Sequence, residues 1–251
     1  MDEPRAAVTA ALVIIGNEIL SGRTQDANLA FLARELNEAG IQLREARVVP
    51  DDEAAIVEAV NACRKRYDHV FTTGGIGPTH DDITSACVAK ALGRRFVRHP
   101  EAERRLRAYY PPEKLNEARL KMADTPEGAE LIDNPVSVAP GFRVENVHVL
   151  PGVPSILQAM FAGLKPKLKG GAVVSSRTLT VFCPEGDIAK PLGEIQARHP
   201  SVEIGSYPFM SQNRFGTSLV FRGIDEGQIA AAAEALLAVM QERGVEVQDL
   251  F

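Results

Sequence analysis

From Thr73 to Thr84 the chain runs Thr-Gly-Gly-Ile-Gly-Pro-Thr-His-Asp-Asp-Ile-Thr, a stretch dense in groups that bind anions. Gly74, Gly75 and Gly77 let the backbone come close to a phosphate or carboxylate, because no Cβ intervenes and a positive φ costs little. Thr73, Thr79 and Thr84 bring hydroxyls to the same loop, and Pro78 sits in its turn. Asp81 and Asp82 would repel an anion held there unless a positive charge lies between them. A divalent ion resolves that conflict, since hard ions are held by one or two carboxylates plus substrate oxygens and polarise a phosphoryl group or a water. Asp81 and Asp82 are therefore the candidate catalytic residues and metal ligands. A plainer reading stands beside this one, with Asp82 as a helix N-cap and Gly75 to Pro78 as a tight turn. His80 reads as a hydrogen-bond neighbour of the two aspartates rather than as a general base.

A second polar block, Gly16-Asn-Glu-Ile-Leu-Ser-Gly-Arg-Thr-Gln-Asp-Ala-Asn28, follows an apolar run. A simple strand-to-helix crossover needs about 2 to 6 residues, so the excess length points to a ligand. Gly16, Glu18, Asp26 and Asn28 are the candidate binding residues here, Asp26 being equally suited to cap the next helix. Other chemistries are excluded by reading the chain. It has no Gly-Lys pair of a Walker A loop, no HExxH and no GxSxG, and Gly75-Ile-Gly77 is followed by His80 where a dinucleotide fingerprint needs glycine. Cys63, Cys87 and Cys183 are odd in number and far apart, which makes them reduced core thiols rather than a disulfide framework or metal motif.

Alternating strands and helices must position these loops. Ala10 to Ile15 reads as a buried strand, and Leu29, Leu32, Ala33 and Leu36 as one face of a helix that stops at Gly40. Ile41 to Val49 gives a second strand. Asp51 or Asp52 caps a helix with Ile56, Val57, Val60 and Cys63 inward, and His69 to Thr73 gives a third strand. With strand order 2-1-3, the two polar loops flank one switch point, where open α/β sheets bind ligands. After the Gly-rich loop comes a helix bearing Ile83, Cys87, Val88 and Leu92, then a basic segment from Arg94 to Lys121 whose arginines read as a solvated face. A hairpin near residues 142–150 follows, and Pro151-Gly-Val-Pro154 opens a helix bearing Ile156, Leu157, Met160 and Phe161.

Lys165-Pro-Lys-Leu-Lys-Gly-Gly171 has the content of a linker, which predicts domains at 1–168 and 172–251. The second is a small α+β unit, with strands near 179–183, 202–207 and 217–221 and helices near 187–198 and 225–243.

Composition sets the outer bounds. A chain of 251 residues, 45% hydrophobic and 24% charged, suits one large domain with a smaller companion. No apolar run approaches the roughly 18 to 20 residues of a membrane span, and Met1-Asp-Glu-Pro-Arg5 lacks a signal-peptide layout, which predicts a cytoplasmic protein with no membrane partner. A net charge of -5 argues against non-specific nucleic-acid binding.

Three blocks, Gly16 to Gly22 with Asp26 and Asn28, Thr72 to Thr84, and Leu150-Pro-Gly-Val-Pro154, resemble in order and spacing the molybdenum-cofactor-biosynthesis domain family, the MoaB/Mog-like fold, in its CinA-type branch. The tail, including Ile204-Gly-Ser-Tyr-Pro208, looks like the KH-like second domain of CinA proteins and of the amino-terminal region of FAD synthases. It has no GxxG loop, and acidic residues outnumber basic ones there, so RNA binding is not expected.

The resemblance implies an α/β fold of three layers around a mostly parallel sheet, plus a small α+β domain, in a homodimer. It implies either metal-dependent cleavage of a nucleotide pyrophosphate, such as ADP-ribose or FAD, to AMP, or binding or adenylylation of molybdopterin. A catalytically silent binding module is the third alternative. The implied cofactor is Mg, Mn or Co, with a monovalent cation as a further ligand, or molybdopterin as the bound molecule. Carried over, Gly74, Gly75 and Gly77 would cradle phosphates, Asp81 and Asp82 would hold the metal, Asp26 and Asn28 would line the pocket, and Gly152 and Pro154 would close another wall. CinA proteins usually carry Glu where this chain has Ile156, which brings it nearer the FAD synthase module. Neither the deamidase domain of full-length CinA nor the reductase-like domain of FAD synthase is expected.

Overall fold

Strand β1 (Val8–Ile15) is buried on both faces from Ala10 onward, as a strand in the middle of a parallel sheet must be. A short helix, α1 (Asn17–Leu20), interrupts the polar segment after it, which is therefore less extended than its composition suggests. Helix α2 (Asn28–Glu38) returns the chain to β2 (Ile41–Val49), and α3 (Glu53–Arg64) leads to β3 (His69–Thr73). Both β2 and β3 pair in parallel with β1, one on each side. Helix α4 (Thr84–Ala91) follows the Gly-rich loop. An excursion of β4 (Phe96–Arg98), α5 (Pro100–Tyr109), α6 (Glu117–Leu120) and β5 (Asp124–Pro126) separates it from β6 (Glu130–Ile132), β7 (Gly141–Val144), β8 (Val147–Leu150) and α7 (Pro154–Leu164). The sheet order is β2-β1-β3-β8-β7-β6, with the last two strands antiparallel. This computed structural model describes residues 7–211 and 214–250, so the reading of Met1 to Arg5 lies outside the described residues.

Alternate residues of the central strands feed two cores. Leu12, Phe71 and Leu150 pack under α2 and α7, while Val13, Val70 and Val149 pack under α3 and α4. That is the three-layer arrangement. The inward row of α2 is Asn28, Leu32 and Leu36, spaced by four; Leu29, expected inside, is exposed because Asn28 starts the row. Asp52, not Asp51, caps α3 by accepting from the Ala55 N–H at 2.9 Å, and Asp51 instead accepts from the Asn17 N–H at 2.8 Å. All three cysteines are buried and unpaired by disulfides.

Gly40, at φ +72°, ends α2. A Cβ there would fall on the Gly171 carbonyl, and one on Gly170 would fall on the Ala39 carbonyl. The Gly171 N–H donates to the Gly40 carbonyl at 3.0 Å. The segment read as a linker is thus fastened along the end of α2. Nearby, His148 is buried on β8, stacked on Phe71 at 4.8 Å, with its Nε2 3.2 Å from Nδ1 of His69. Burial first, then the charges of His69 and Arg143, pushes His148 down to about 3, so it stays neutral.

The arginines of the basic segment lie largely on a solvated face, as expected, with Arg98 and Arg105 half-buried, and they are held there by ion pairs. Arg95 pairs with Glu127, Arg98 with Asp124, Arg104 and Arg105 with Glu101, and Arg107 with Glu103. Carboxylates at i−3 and i−4 on α5, and others on the neighbouring β5 segment, supply these partners.

The chain forms two compact units, Met1–Ala172 and Val173–Phe251. In the second, β9 (Ser175–Val181), α8 (Glu185–Arg198), β10 (Glu203–Ser211), β11 (Arg214–Gly223), α9 (Glu226–Glu242) and β12 (Val247–Leu250) form an antiparallel sheet of order β10-β11-β9-β12 with two helices. Leu179, Val181, Leu219 and Phe221 meet Ile188, Ile195, Ala232 and Leu236 in its core. No helix among the described residues is long and apolar enough to cross a membrane.

Candidate functional site

Three segments meet at the carboxyl ends of β1, β3 and β8. The Gly74 N–H donates to the Leu150 carbonyl at 3.2 Å, and a Cβ on Gly74 would fall on the Ile15 carbonyl. A Cβ on Gly152 would lie 3.3 Å from the Gly74 Cα, and Asn28 Nδ2 donates to the Gly152 carbonyl at 2.8 Å. Gly74 and Gly75 both take positive φ, +99° and +66°, and a side chain on Gly75 would displace the Thr84 hydroxyl. Only glycine satisfies both the dihedral and the space.

Around this junction lie Asn28 Oδ1, Thr73 Oγ1 and Thr84 Oγ1, all buried and without a protein hydrogen-bond partner. An unmet buried polar atom costs about 1 to 3 kcal/mol, and these three lie on converging segments. Thr84 also opens α4, its N–H donating to the Gly75 carbonyl at 2.9 Å. The cap position of α4 is Ile83, with no side-chain cap, so Asp82 does not play the N-cap role open to it. Asp82 turns back instead and accepts from the Thr79 N–H at 2.8 Å and from the Thr79 hydroxyl. That hydroxyl lies near both carboxylates. It is the first cause holding Asp81 below the ordinary carboxylate value, ahead of the Asp81 N–H, His80 and Lys121, although its single proton goes by geometry to Asp82. Asp81 is thus exposed and ionised at neutral pH, and His80 is wholly exposed with its Nδ1 4.0 Å away.

The remaining candidates form the rim. Asp26 accepts from the Leu29 N–H at 2.8 Å, which engages it in the first turn of α2. Gly16 is buried, its N–H donating to Val49 at 3.2 Å, and the exposed Glu18 folds back over it. Gly77 and Thr79 make the outer curve of the loop beside the exposed Pro78, and Pro154 stands exposed at the start of α7. Ile156 packs against the core under α7.

Among the described residues no group of three His, Cys, Asp or Glu side chains is arranged to hold a metal ion. Asp81 and Asp82 supply two carboxylates on the Gly-rich turn. That donor set fits a hard divalent ion completed by ligand oxygens, not a closed structural centre. One residue was not legible in the sequence: the Lys121 ammonium donates to the Thr79 carbonyl at 2.6 Å from 42 positions away. No local spacing announces a contact of that range.

Comparison with known proteins bears on this arrangement. Residues 11–170 match the family described as "Probable molybdopterin binding domain", and residues 173–249 match "FAD synthase, middle domain". A protein of Aeropyrum pernix is 40% identical over 260 residues, covering 98% of this chain and 95% of its own. A CinA-like protein of Desulfosudis oleivorans is 38% identical over 209 residues, covering 78% of this chain and 51% of that protein. The crystal structure of CinA from Thermoplasma acidophilum, 36% identical, superposes with a TM-score of 0.61 over 64% of this chain and 98% of that one.

Proposed function

The chain belongs to the probable molybdopterin-binding domain family, in its CinA-type branch, and on that footing we propose that it cleaves a nucleotide pyrophosphate of the ADP-ribose or FAD kind to AMP and a second phosphate product. The observation that carries this reading is the convergence of Asn28 Oδ1, Thr73 Oγ1 and Thr84 Oγ1 on the glycines at the strand ends. Phosphate oxygens accept from the N–H groups of Gly75 to Gly77, the Gly74 N–H being taken by the Leu150 carbonyl, and from the hydroxyls of Thr73 and Thr84. Asn28 Oδ1 accepts from an N–H or O–H of the ligand, and its Nδ2 keeps Gly152 in place. Asp81 and Asp82 would hold a divalent ion, which when bound supplies charge neutralisation at the phosphoryl oxygens and polarises a water. Catalysis of this type is electrostatic and positional, and the preformed loop holds the phosphates without reorganising.

The test is incubation with ADP-ribose or FAD and Mg²⁺, Mn²⁺ or Co²⁺ against a chelator control. AMP forms only with metal, and Asp81→Asn lowers its rate by about a hundredfold or more with the fold intact. Unchanged turnover in both Asp81→Asn and Asp82→Asn would overturn the assignment. Ile156 favours a second reading, since an apolar side chain stands where CinA proteins usually carry a carboxylate: binding or adenylylation of molybdopterin without hydrolysis. Tight pterin binding with no metal-stimulated turnover would select it.

A further inference from the structure

The segment from Arg94 to Lys121 pairs most of its arginines with carboxylates, while Arg119 donates to the Lys114 carbonyl and Lys121 reaches the Gly-rich loop. Lys121 follows α6, which Asn116 caps by accepting from the Arg119 N–H at 3.0 Å, and it opens a 3-10 turn, Lys121–Ala123. The turn is anchored by the buried Ala123, whose carbonyl accepts from the His99 N–H at 2.8 Å. From this base the ammonium reaches the Thr79 carbonyl at 2.6 Å and borders a small cavity of about 70 Å³ with Gly77, Asp82, Ile83 and Phe96. An ammonium has three N–H donors, and the carbonyl accounts for one.

We propose that Lys121 is the built-in counter-cation of the Gly-rich loop, fixing Thr79 and lending its charge to a phosphate bound there, so that recognition of the polyanion has a component that needs no metal. This rests on the reading of the loop as a phosphate cradle. Two features of the loop converge on it. The loop carries two carboxylates that oppose an incoming anion, and Coulomb repulsion at a few ångströms is reduced most by a cation held at similar range. Thr79 joins the charges, because its carbonyl takes the Lys121 ammonium while its N–H and hydroxyl serve Asp82. Lys121 is a positioning residue in this scheme, acting on the loop and on the phosphate charge.

The experiment measures inorganic pyrophosphate binding by titration calorimetry in chelator and in Mg²⁺, at low and high salt, for the wild type, Lys121→Met and Lys121→Arg, with hydrogen exchange at the Thr79 to Ile83 amides in the ligand-free proteins. Lys121→Met should weaken binding in chelator by about tenfold or more and flatten its salt dependence. It should also speed exchange across the loop. Lys121→Arg should bind within about threefold of wild type, since it keeps the charge. Wild-type binding unchanged in Lys121→Met overturns the proposal while leaving the cradle standing. Failure of the wild type to bind pyrophosphate under every condition overturns the cradle as well, so the two failures are told apart.

Discussion

Among the described residues five buried polar side-chain atoms lack a protein partner, and all five, on Asn28, Thr72, Thr73, Thr84 and His148, belong to the first unit. In the second, among the described residues, buried polar side-chain atoms find partners, as where the Thr217 hydroxyl donates to the Cys183 carbonyl at 3.1 Å. The two units bury their apolar residues by the same logic of sheet under helix, so the difference lies in polar satisfaction and not in packing. Buried polar groups are ordinarily paired because leaving them unmet is expensive. Three of the five gather at one end of the parallel strands, where the proposed ligand would meet them. Among its described residues the second unit shows no buried side-chain polar atom left without a partner.

Breaking that contrast begins with the core of the second unit. Phe221→Ala should destabilise the protein by about 3 to 5 kcal/mol in chemical denaturation, the usual cost of truncating a buried aromatic. Affinity of the folded variant for ADP-ribose should not change, and a fall in calorimetry would give the second unit a role in the site. Gly74→Ala comes next. A positive φ and a collision with the Ile15 carbonyl should remove about 2 kcal/mol or more and weaken ligand binding at least tenfold; wild-type affinity would show that the loop tolerates a side chain where the backbone leaves no room.

His148 sharpens the comparison through pH. Its folded value of about 3 lies below the ordinary 6.5, so between those values the unfolded chain binds a proton that the folded one excludes. Stability therefore rises with pH across that window and is lost as pH falls, by at most about 1.4 kcal/mol per unit from this group. Denaturation of His148→Phe at pH 6.5 and 5 should show a shallower loss than wild type. A parallel loss would place the acid sensitivity on other groups. The smallest effect is that of Asp26→Ala, which should cost about 1 kcal/mol through the first turn of α2 and leave ligand affinity alone; weakened binding would return Asp26 to the pocket.

The central strands, helices and two polar loops follow from hydrophobic runs and loop lengths, which are local signals legible in the chain. The order 2-1-3 that brings the loops together is only a condition there, and the strand pairing supplies it. Contacts decided by a side chain's direction are not legible either. Asn28 and Leu29 are adjacent, and helical periodicity alone favours the leucine as the inward residue; the junction with Gly152 turns the helix the other way. Asp82 stands where a cap belongs, yet the glycine turn folds Thr79 back within its reach. Strand β12 escapes notice because Val247-Gln-Asp-Leu250 alternates too briefly to announce itself, and only pairing with β9 defines it. Lys121 is set by the packing of a separate excursion.

The seam of Gly40, Gly170 and Gly171 bears on where this chain tolerates cutting. At Gly40 and Gly170 a Cβ would strike a carbonyl, and His69 meets the Lys169 carbonyl at 3.2 Å in the same place. A fragment ending at residue 172 keeps these backbone contacts over the end of α2. One ending at residue 168 strips them away, exposing the Gly40 carbonyl and one ring nitrogen of His69, although the apolar content of the two fragments is nearly the same.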